Sequence, residues 1–185
     1  MVGRLSARRG MLGQSLVEFA ISSLVLVVLF GGLVDGGRML QRIDVLKEAA
    51  REGARHGASF NAGLNSNSSL DDAHIKAAVD DILTAGGLPL SSFRNPGNCP
   101  TPSDGNSLHN PPYQGAYMPN VPNQPWLYIC YNNSLSTLPA SSNAYQHQDL
   151  NVILVMGYGP LSSFLPLPVA GFGLAANLHL SIQGH

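Results

Sequence analysis

A long apolar run from Leu16 to Val34 dominates the pattern of hydrophobic and polar positions. At about 1.5 Å rise per residue a helix over this run reaches roughly 28 Å, close to the ~30 Å hydrocarbon core of a bilayer. The run is longer than the 7–15 residue core of a typical signal peptide. The helical pattern continues from Leu33 to about Ala58, which favours a retained anchor that passes into a helical stem. Beyond the polar loop Asn61 to Ser69, Ile75, Val79, Ile82 and Leu83 give the apolar stripe of a second helix, Leu70 to Ala85. Ser69 is its expected cap, and Gly86-Gly87 its stop. Aromatic and β-branched residues then predict strands at Trp126–Tyr131, Asp149–Tyr158 and Gly173–Gln183. Ser91 to Pro125 is dense in Pro, Gly, Asn and Ser and reads as irregular, and Pro160 to Pro168 is apolar but broken by proline. The expected fold class is α+β: a long N-terminal helix (transmembrane part plus stem) with a small head of one helix and about three antiparallel strands.

Charge changes the picture through its placement. Only 11% of the residues are charged, against about 25% in an average soluble domain. Every Lys and Arg lies at or before Arg94, and from Asn95 onward the only charged side chains are Asp104 and Asp149. A surface of neutral amides and hydroxyls suits an exported or assembly-bound domain. The net charge of −1 gives no basic field for nucleic acid. Topology is not decided by charge. Arg4, Arg8 and Arg9 precede the apolar run, while Arg38, Arg42, Lys47, Arg51 and Arg55 follow it, and the positive-inside rule counts both sides.

One charged residue interrupts the apolar run. Glu18 sits in Leu16-Val17-Glu18-Phe19-Ala20, and a charge at mid-bilayer costs about 2.5–3.5 kcal/mol on insertion scales. Either Glu18 lies shallow enough to reach the interface, or it meets a cation. Cleavage after Gly13 would free the amine of Gln14 and make Glu18 the fifth residue of the mature chain. The carboxylate of one subunit can then pair with the new amine of another, near a helix N-terminus whose dipole favours negative charge.

Gly13-Gln14-Ser15-Leu16-Val17-Glu18-Phe19-Ala20 resembles the cleavage motif of type IVb prepilins. Extended through Phe30-Gly31-Gly32-Leu33-Val34-Asp35-Gly36-Gly37-Arg38, it resembles the TadE-like pseudopilins of the tight-adherence (Flp) pilus machinery. Glu48-Ala49-Ala50-Arg51-Glu52-Gly53-Ala54-Arg55 is similar to the small, charged helix that follows the anchor in that family. The resemblance runs from Arg9 to Gly57. At the far end, Leu178-His179-Leu180-Ser181-Ile182 departs from it by lacking a basic residue. It implies a leader over residues 1–13, a transmembrane helix and stem over 14–58 and an extracytoplasmic head over 59–185. It implies processing between Gly13 and Gln14 by a prepilin peptidase, with Glu18 and Phe19 completing the motif and Glu18 making the assembly contact. The implied partners are that peptidase, other pilins or pseudopilins, and the Tad inner-membrane platform. The implied role is a minor pseudopilin in the assembly or initiation of a type IVb pilus for surface adherence. The implied place is the inner membrane, single-pass, with possible incorporation in the pilus. A membrane-tethered exported binding or adhesion module outside any pilus is the alternative.

The remaining chemistry is sparse. Cys99 and Cys130 are too few for a four-ligand zinc site. In an oxidising compartment they can pair, a bridge worth about 3–4 kcal/mol by chain entropy; otherwise they are two separate thiols. Six histidines are scattered, and no phosphate loop, His-Glu-x-x-His or nucleophile elbow occurs. The expectation is a non-enzymatic chain with no cofactor and no metal. Asp71-Asp72 and Asp80-Asp81 read as helix-start and solvated-face charges. Ala49, Gly53 and Gly57 fall four apart, as do Ala50, Ala54 and Ala58. That narrow face either supports the chain's own head or receives a neighbouring pilin.

Overall fold

The computed structural model describes residues 7–94, 99–100, 115–132, 134–135, 148–160 and 172–183. Met1–Ser6 of the expected leader, most of 95–114 within the irregular Ser91–Pro125 stretch and 161–168 of the proline-broken Pro160–Pro168 stretch lie outside the described residues. Helix α1 runs over Ala7–Ala58 and α2 over Asp72–Ala85. Strands follow at β1 (Ser92–Phe93), β2 (Trp126–Tyr131), β3 (Ser134–Leu135), β4 (Asp149–Tyr158) and β5 (Phe172–Ser181). A short 3₁₀ turn, Gly115–Tyr117, precedes β2. The chain forms two compact units, divided within α1 after Arg38.

The α+β class and the three long strands match the expectation, and β2, β4 and β5 pair antiparallel. The sheet as a whole is mixed, which corrects the purely antiparallel reading. The order is β1-β2-β4-β5, with β3 also on β2. β1 runs parallel to β2, Ser92 opposite Trp126. Two-residue strands carry no readable period, so β1 was hidden within the Pro- and Gly-rich stretch. The long connection from β1 back to β2 allows the parallel pairing that a tight hairpin forbids.

Side-chain alternation divides the sheet into two faces. Leu127 and Ile129 of β2, Leu150, Val152, Leu154 and Met156 of β4, and Leu174 and Ala176 of β5 face the helices. There they join Leu46, Ala49, Ala50 and Ala54 of α1 and Ile75, Val79 and Leu83 of α2 in the main core. Full burial of one such aliphatic side chain contributes about 1.5–3 kcal/mol. The small-residue face of α1 is therefore occupied by the chain's own head. A Cβ on Gly53 would lie 2.5 Å from Val79 Cγ2, and one on Gly57 would lie 2.7 Å from Ile75 Cδ1 and 3.0 Å from Leu150 Cδ2. The stem is thus part of the folded head from Met39 onward, not a separate support beneath it.

Helix α2 starts one turn detail away from expectation. Asp71, not Ser69, is the cap: its backbone is extended, and its Oδ1 accepts from the His74 N–H at 2.8 Å. An Asp cap satisfies an orphan N–H and meets the helix dipole with a full charge. At the other end Arg42 of α1 donates to the Gly87 carbonyl at 2.8 Å and to that of Gly86 at 3.4 Å. A cation on the carbonyls just past Ala85 complements the C-terminal end of the α2 dipole. Gly86 lets α1 come this close, since its Cβ would meet Val45 Cγ1 at 2.4 Å.

Asp80 also departs from expectation. It is buried rather than solvated. Its Oδ1 accepts from the Ser91 N–H at 2.7 Å, and its Oδ2 pairs with Lys76. The carboxylate ties α2 to the start of β1, and a buried charge requires that kind of pairing. Asp81, beside it, is exposed as expected. Asn67, fully buried, donates from Nδ2 to the carbonyls of Ser59 and Gln183 at 3.2 and 2.9 Å. With the Gln183 N–H on the Ala58 carbonyl at 3.0 Å, it fastens the end of α1 to the segment after β5.

Candidate functional site

Gly13 through Phe19 lie on α1, and the Gly13–Gln14 peptide bond falls inside the helix. Residues four apart on a helix share a face, and Gln14 Nε2 accordingly donates to Glu18 Oε1 at 3.2 Å. The side chains around this pair are open. Phe19 is 73% and Leu16 69% exposed, and a Cβ on Gly13 would meet nothing within 4 Å. Large apolar side chains remain exposed from here to Val34, among them Leu24, Leu26, Leu29, Phe30 and Leu33. A helix apolar on all sides is suited to lipid rather than water. Among the described residues, α1 is long and apolar enough to cross a membrane. Glu18 and Ser23 are polar interruptions in the apolar run, and the Ser23 hydroxyl is satisfied by the Ala20 carbonyl at 2.9 Å.

Below Arg38 the same helix carries charge on its open side. Glu48 and Arg51 pair at 3.2 Å, and the pattern repeats one turn on, where Arg55 Nε donates to Glu52 at 2.8 Å. The Arg55 hydrogen bond holds the Glu52 carboxyl below its ordinary pKa. Such exposed pairs add little to stability, because water screens them. Their effect is to keep this face wet while the opposite face is buried.

The second face of the sheet is a different environment. Tyr128, Cys130, Ile153 and Val155 form a smaller core there with Cys99. Cys99 and Cys130 are bonded, with Cα atoms 6.1 Å apart, which fixes the segment before β2 onto that strand. Tyr117 packs edge-on against Tyr128, whose hydroxyl donates to the Tyr117 carbonyl at 3.1 Å. Burial pushes the Tyr128 phenol up to about 12. The Arg94 guanidinium lies 4.0 Å from the centre of the Trp126 ring, a stacked cation worth about 0.5–1 kcal/mol at an exposed site.

Toward the far end of this face the row becomes polar. Asn151 pairs with His179 across β4 and β5, and His179 Nδ1 is 2.7 Å from Asp149 Oδ2. Asn151 is buried, and neither its Oδ1 nor His179 Nε2 has a partner. Scattered histidines gave no sign of this row in the sequence. Its signal was Asp149, Asn151, Asn177 and His179 recurring every second position within otherwise apolar strands. Among the described residues no three His, Cys, Asp or Glu side chains come together as a metal site. The structure keeps the motif residues and the cysteines on separate units.

The architecture defines a class first: an exposed apolar helix continuing into the core of a small α+β head. Residues 13–55 match the family model described as TadE-like protein. The resemblance carried by the motif is therefore borne out over that stretch, where the chain is similar to TadE-like proteins. No curated protein and no solved structure matches the chain.

Proposed function

We propose that this chain is a minor pseudopilin of a Tad-type pilus, cut between Gly13 and Gln14 by a prepilin peptidase and held in the inner membrane with its head outside the cytoplasm. The observation that carries the reading is the TadE-like match over residues 13–55. It spans both the scissile position and Glu18, on a helix whose apolar side chains are open on all sides. Supporting the export of the head are its low charge after Arg94 and the Cys99–Cys130 bond, since such bonds persist in oxidising compartments.

Cleavage needs an extended peptide, so α1 has to open locally at Gly13. Glycine suits that position, because in a helix interior it is less stable than alanine by roughly 0.5–1 kcal/mol. After cleavage the amine of Gln14 begins the helix, one turn from Glu18. The carboxylate then has a cation to pair with, its own or that of an adjacent subunit. Pairing between subunits would let a charge stay within the hydrocarbon and would select processed chains for assembly. The chain does no catalysis of its own in this scheme. Its partners are the peptidase, neighbouring pilins and the platform in the membrane.

The test is the mature N-terminus. Intact-mass analysis of the protein from membranes that contain the peptidase should show Gln14 first, and membranes lacking the peptidase should show the uncut chain. An uncut chain in both would sink the proposal.

A further inference from the structure

Past Arg38, five large apolar side chains are exposed among the described residues: Leu40, Leu64, Leu90, Val121 and Phe172. Register and contacts gather four of them at one end of the head. Phe172, 47% exposed, pairs with Tyr158 at the last rung of β4 and β5. Pro122 bridges Gly157 one rung in, and a Cβ on Gly159 would lie 2.9 Å from Pro122 Cβ, so Val121, 54% exposed, belongs to the same end. The Ser92 rung passes through Trp126 to Val155. Leu90, 59% exposed, precedes it by two residues, and its carbonyl accepts from Gln124 Nε2 at 2.9 Å. That puts Leu90 near the level of Gly157.

Helix α1 supplies the fourth. Gly57 lies against Leu150 and Gly53 against Val152, so α1 runs antiparallel to β4. At about 1.5 Å per helix residue and 3.4 Å per strand residue, Tyr158 is level with about residue 40 of α1. Arg42 meets the same level from the other side, since its bond to the Gly87 carbonyl brings the segment leading to Leu90 against that turn. Leu40 itself is 64% exposed. The opposite end is finished differently. Asn132, Gln148, Asp149 and Ser181 close it with polar side chains, and Leu64, in the turn bridged by Asn61 and Ser66, is its one exposed large apolar residue among those described. Apolar side chains scattered singly over a surface are ordinary, whereas a group at one end marks a contact.

That end is where the chain arrives from its apolar run. Six residues of α1 separate Val34 from Leu40, about 9 Å of helix. The headgroup layer of a bilayer is about 5–8 Å deep on each side. Side chains standing to one side of a spanning helix come lower still when it tilts by the usual ~20°. Arg38, exposed between Val34 and Leu40, suits the phosphates of that layer, as long cationic side chains do near the ends of spanning helices.

We infer that this end of the head is a lipid-resting surface, on which Leu40, Leu90, Val121 and Phe172 enter the headgroup layer of the membrane that α1 spans. The occupant is lipid because the short tether holds these side chains about one headgroup layer from the hydrocarbon, while the polar end stands roughly 27 Å further out at about 3.4 Å per strand residue. The inference rests on reading α1 as a membrane anchor and is independent of cleavage at Gly13 and of any pilus.

Lipid-borne quenchers test it. Cys99 and Cys130 are bonded to each other, so one added cysteine is the thiol that takes a fluorophore. The full chain is placed at low density in phosphatidylcholine–phosphatidylglycerol vesicles with a nitroxide on the headgroup or on the acyl chain. Probes at Leu90→Cys and Val121→Cys should be quenched by the headgroup nitroxide, and a probe at Leu64→Cys should not. Leu26→Cys reports the anchor through the acyl-chain nitroxide. Quenching at Leu26 without quenching at Leu90 and Val121, or with equal quenching at Leu64, overturns the inference and leaves the anchor standing. No quenching at Leu26 removes the anchor and the inference with it. Quenching at Leu90 and Val121 that appears only at high protein density assigns the surface to a second copy and also overturns it. Leu90→Glu combined with Val121→Glu should abolish headgroup quenching of a probe at Phe172→Cys, while Trp126-monitored unfolding stays unchanged because both sites are exposed. Quenching at Phe172 that survives the two glutamates would show that these side chains do not hold the head on the lipid.

Discussion

Two stretches of one helix, residues 16–34 and 46–58 of α1, follow opposite rules. In the first, bulky apolar side chains stand open: Leu26 is 66% and Leu29 69% exposed. In the second, Leu46, Ala49, Ala50, Ala54 and Ala58 are buried, while Arg51 and Arg55 point to solvent. Size runs inversely to burial. Where the surroundings are fluid, large side chains fill whatever volume is offered. Where they are a packed sheet and helix, the backbone has to come close, and alanine and glycine let it. A helix can thus serve two solvents, lipid for one stretch and the protein's own core for the other, by changing side-chain size and charge without breaking its ladder.

Truncating the same side chain in each stretch should separate the two most strongly. Leu46→Ala empties a fully buried site in the main core and should destabilise the head by about 2–5 kcal/mol. Leu26→Ala removes the same atoms from an open position and should leave head stability unchanged. Denaturant unfolding of the detergent-solubilised chain, followed by its single tryptophan, Trp126, reads both. Equal losses would mean that residues 16–34 are also part of the head's core.

Much of this division was legible in the sequence, because it rests on period and composition. The apolar run, the four-residue recurrence of Ala and Gly, and the aromatic and β-branched content of Trp126–Tyr131 and Asp149–Tyr158 each map onto an element that the structure contains. What stayed hidden depends on partners distant in the chain. Whether the small face of α1 served the head or a neighbour could not be read until Ile75, Val79 and Val152 were seen against it. Asp80 looked like a surface charge because its partner, the Ser91 N–H, is a backbone group beyond the end of its helix. Ser69 and Asp71 both have the chemistry of a cap, and only the backbone turn decides between them. Of the candidate site, the motif from Gly13 to Phe19 was visible because it is local. The polar row of Asp149, Asn151 and His179 requires the β4–β5 register.

Glycines sharpen the comparison at smaller amplitude. Gly32 would meet nothing within 4 Å on gaining a Cβ, whereas Gly53 would press it to 2.5 Å from Val79 and bring Val152 and Ile75 into contact. Gly53→Val should therefore cost about 1–3 kcal/mol by overpacking, offset in part by the better helix propensity of the new residue. Gly32→Val should have no effect on the unfolding of the head. The same Trp126-monitored unfolding measures both, and a stabilised Gly53→Val head would show that α1 and α2 are free to move apart.

The smallest expected effect concerns what holds α2 over the buried stretch of α1. Burial by itself would raise the pKa of Asp71, but the hydrogen bonds from the His74 N–H and imidazole outweigh it, and the carboxyl is held below its ordinary value. The unfolded chain, with a carboxyl pKa of about 3.9, then binds more protons than the folded one between the two values, so stability rises with pH across that window. The contribution is complete above the unfolded pKa and disappears as pH falls through the folded one. Asp71→Ala should cost about 0.5–2 kcal/mol at neutral pH, the usual loss of a helix cap. Its difference from the parent chain should shrink as pH drops from about 6 to about 3, because acid removes the parent's advantage. A difference that stays constant over that range would assign the effect of Asp71 to the shape of the turn rather than to its charge.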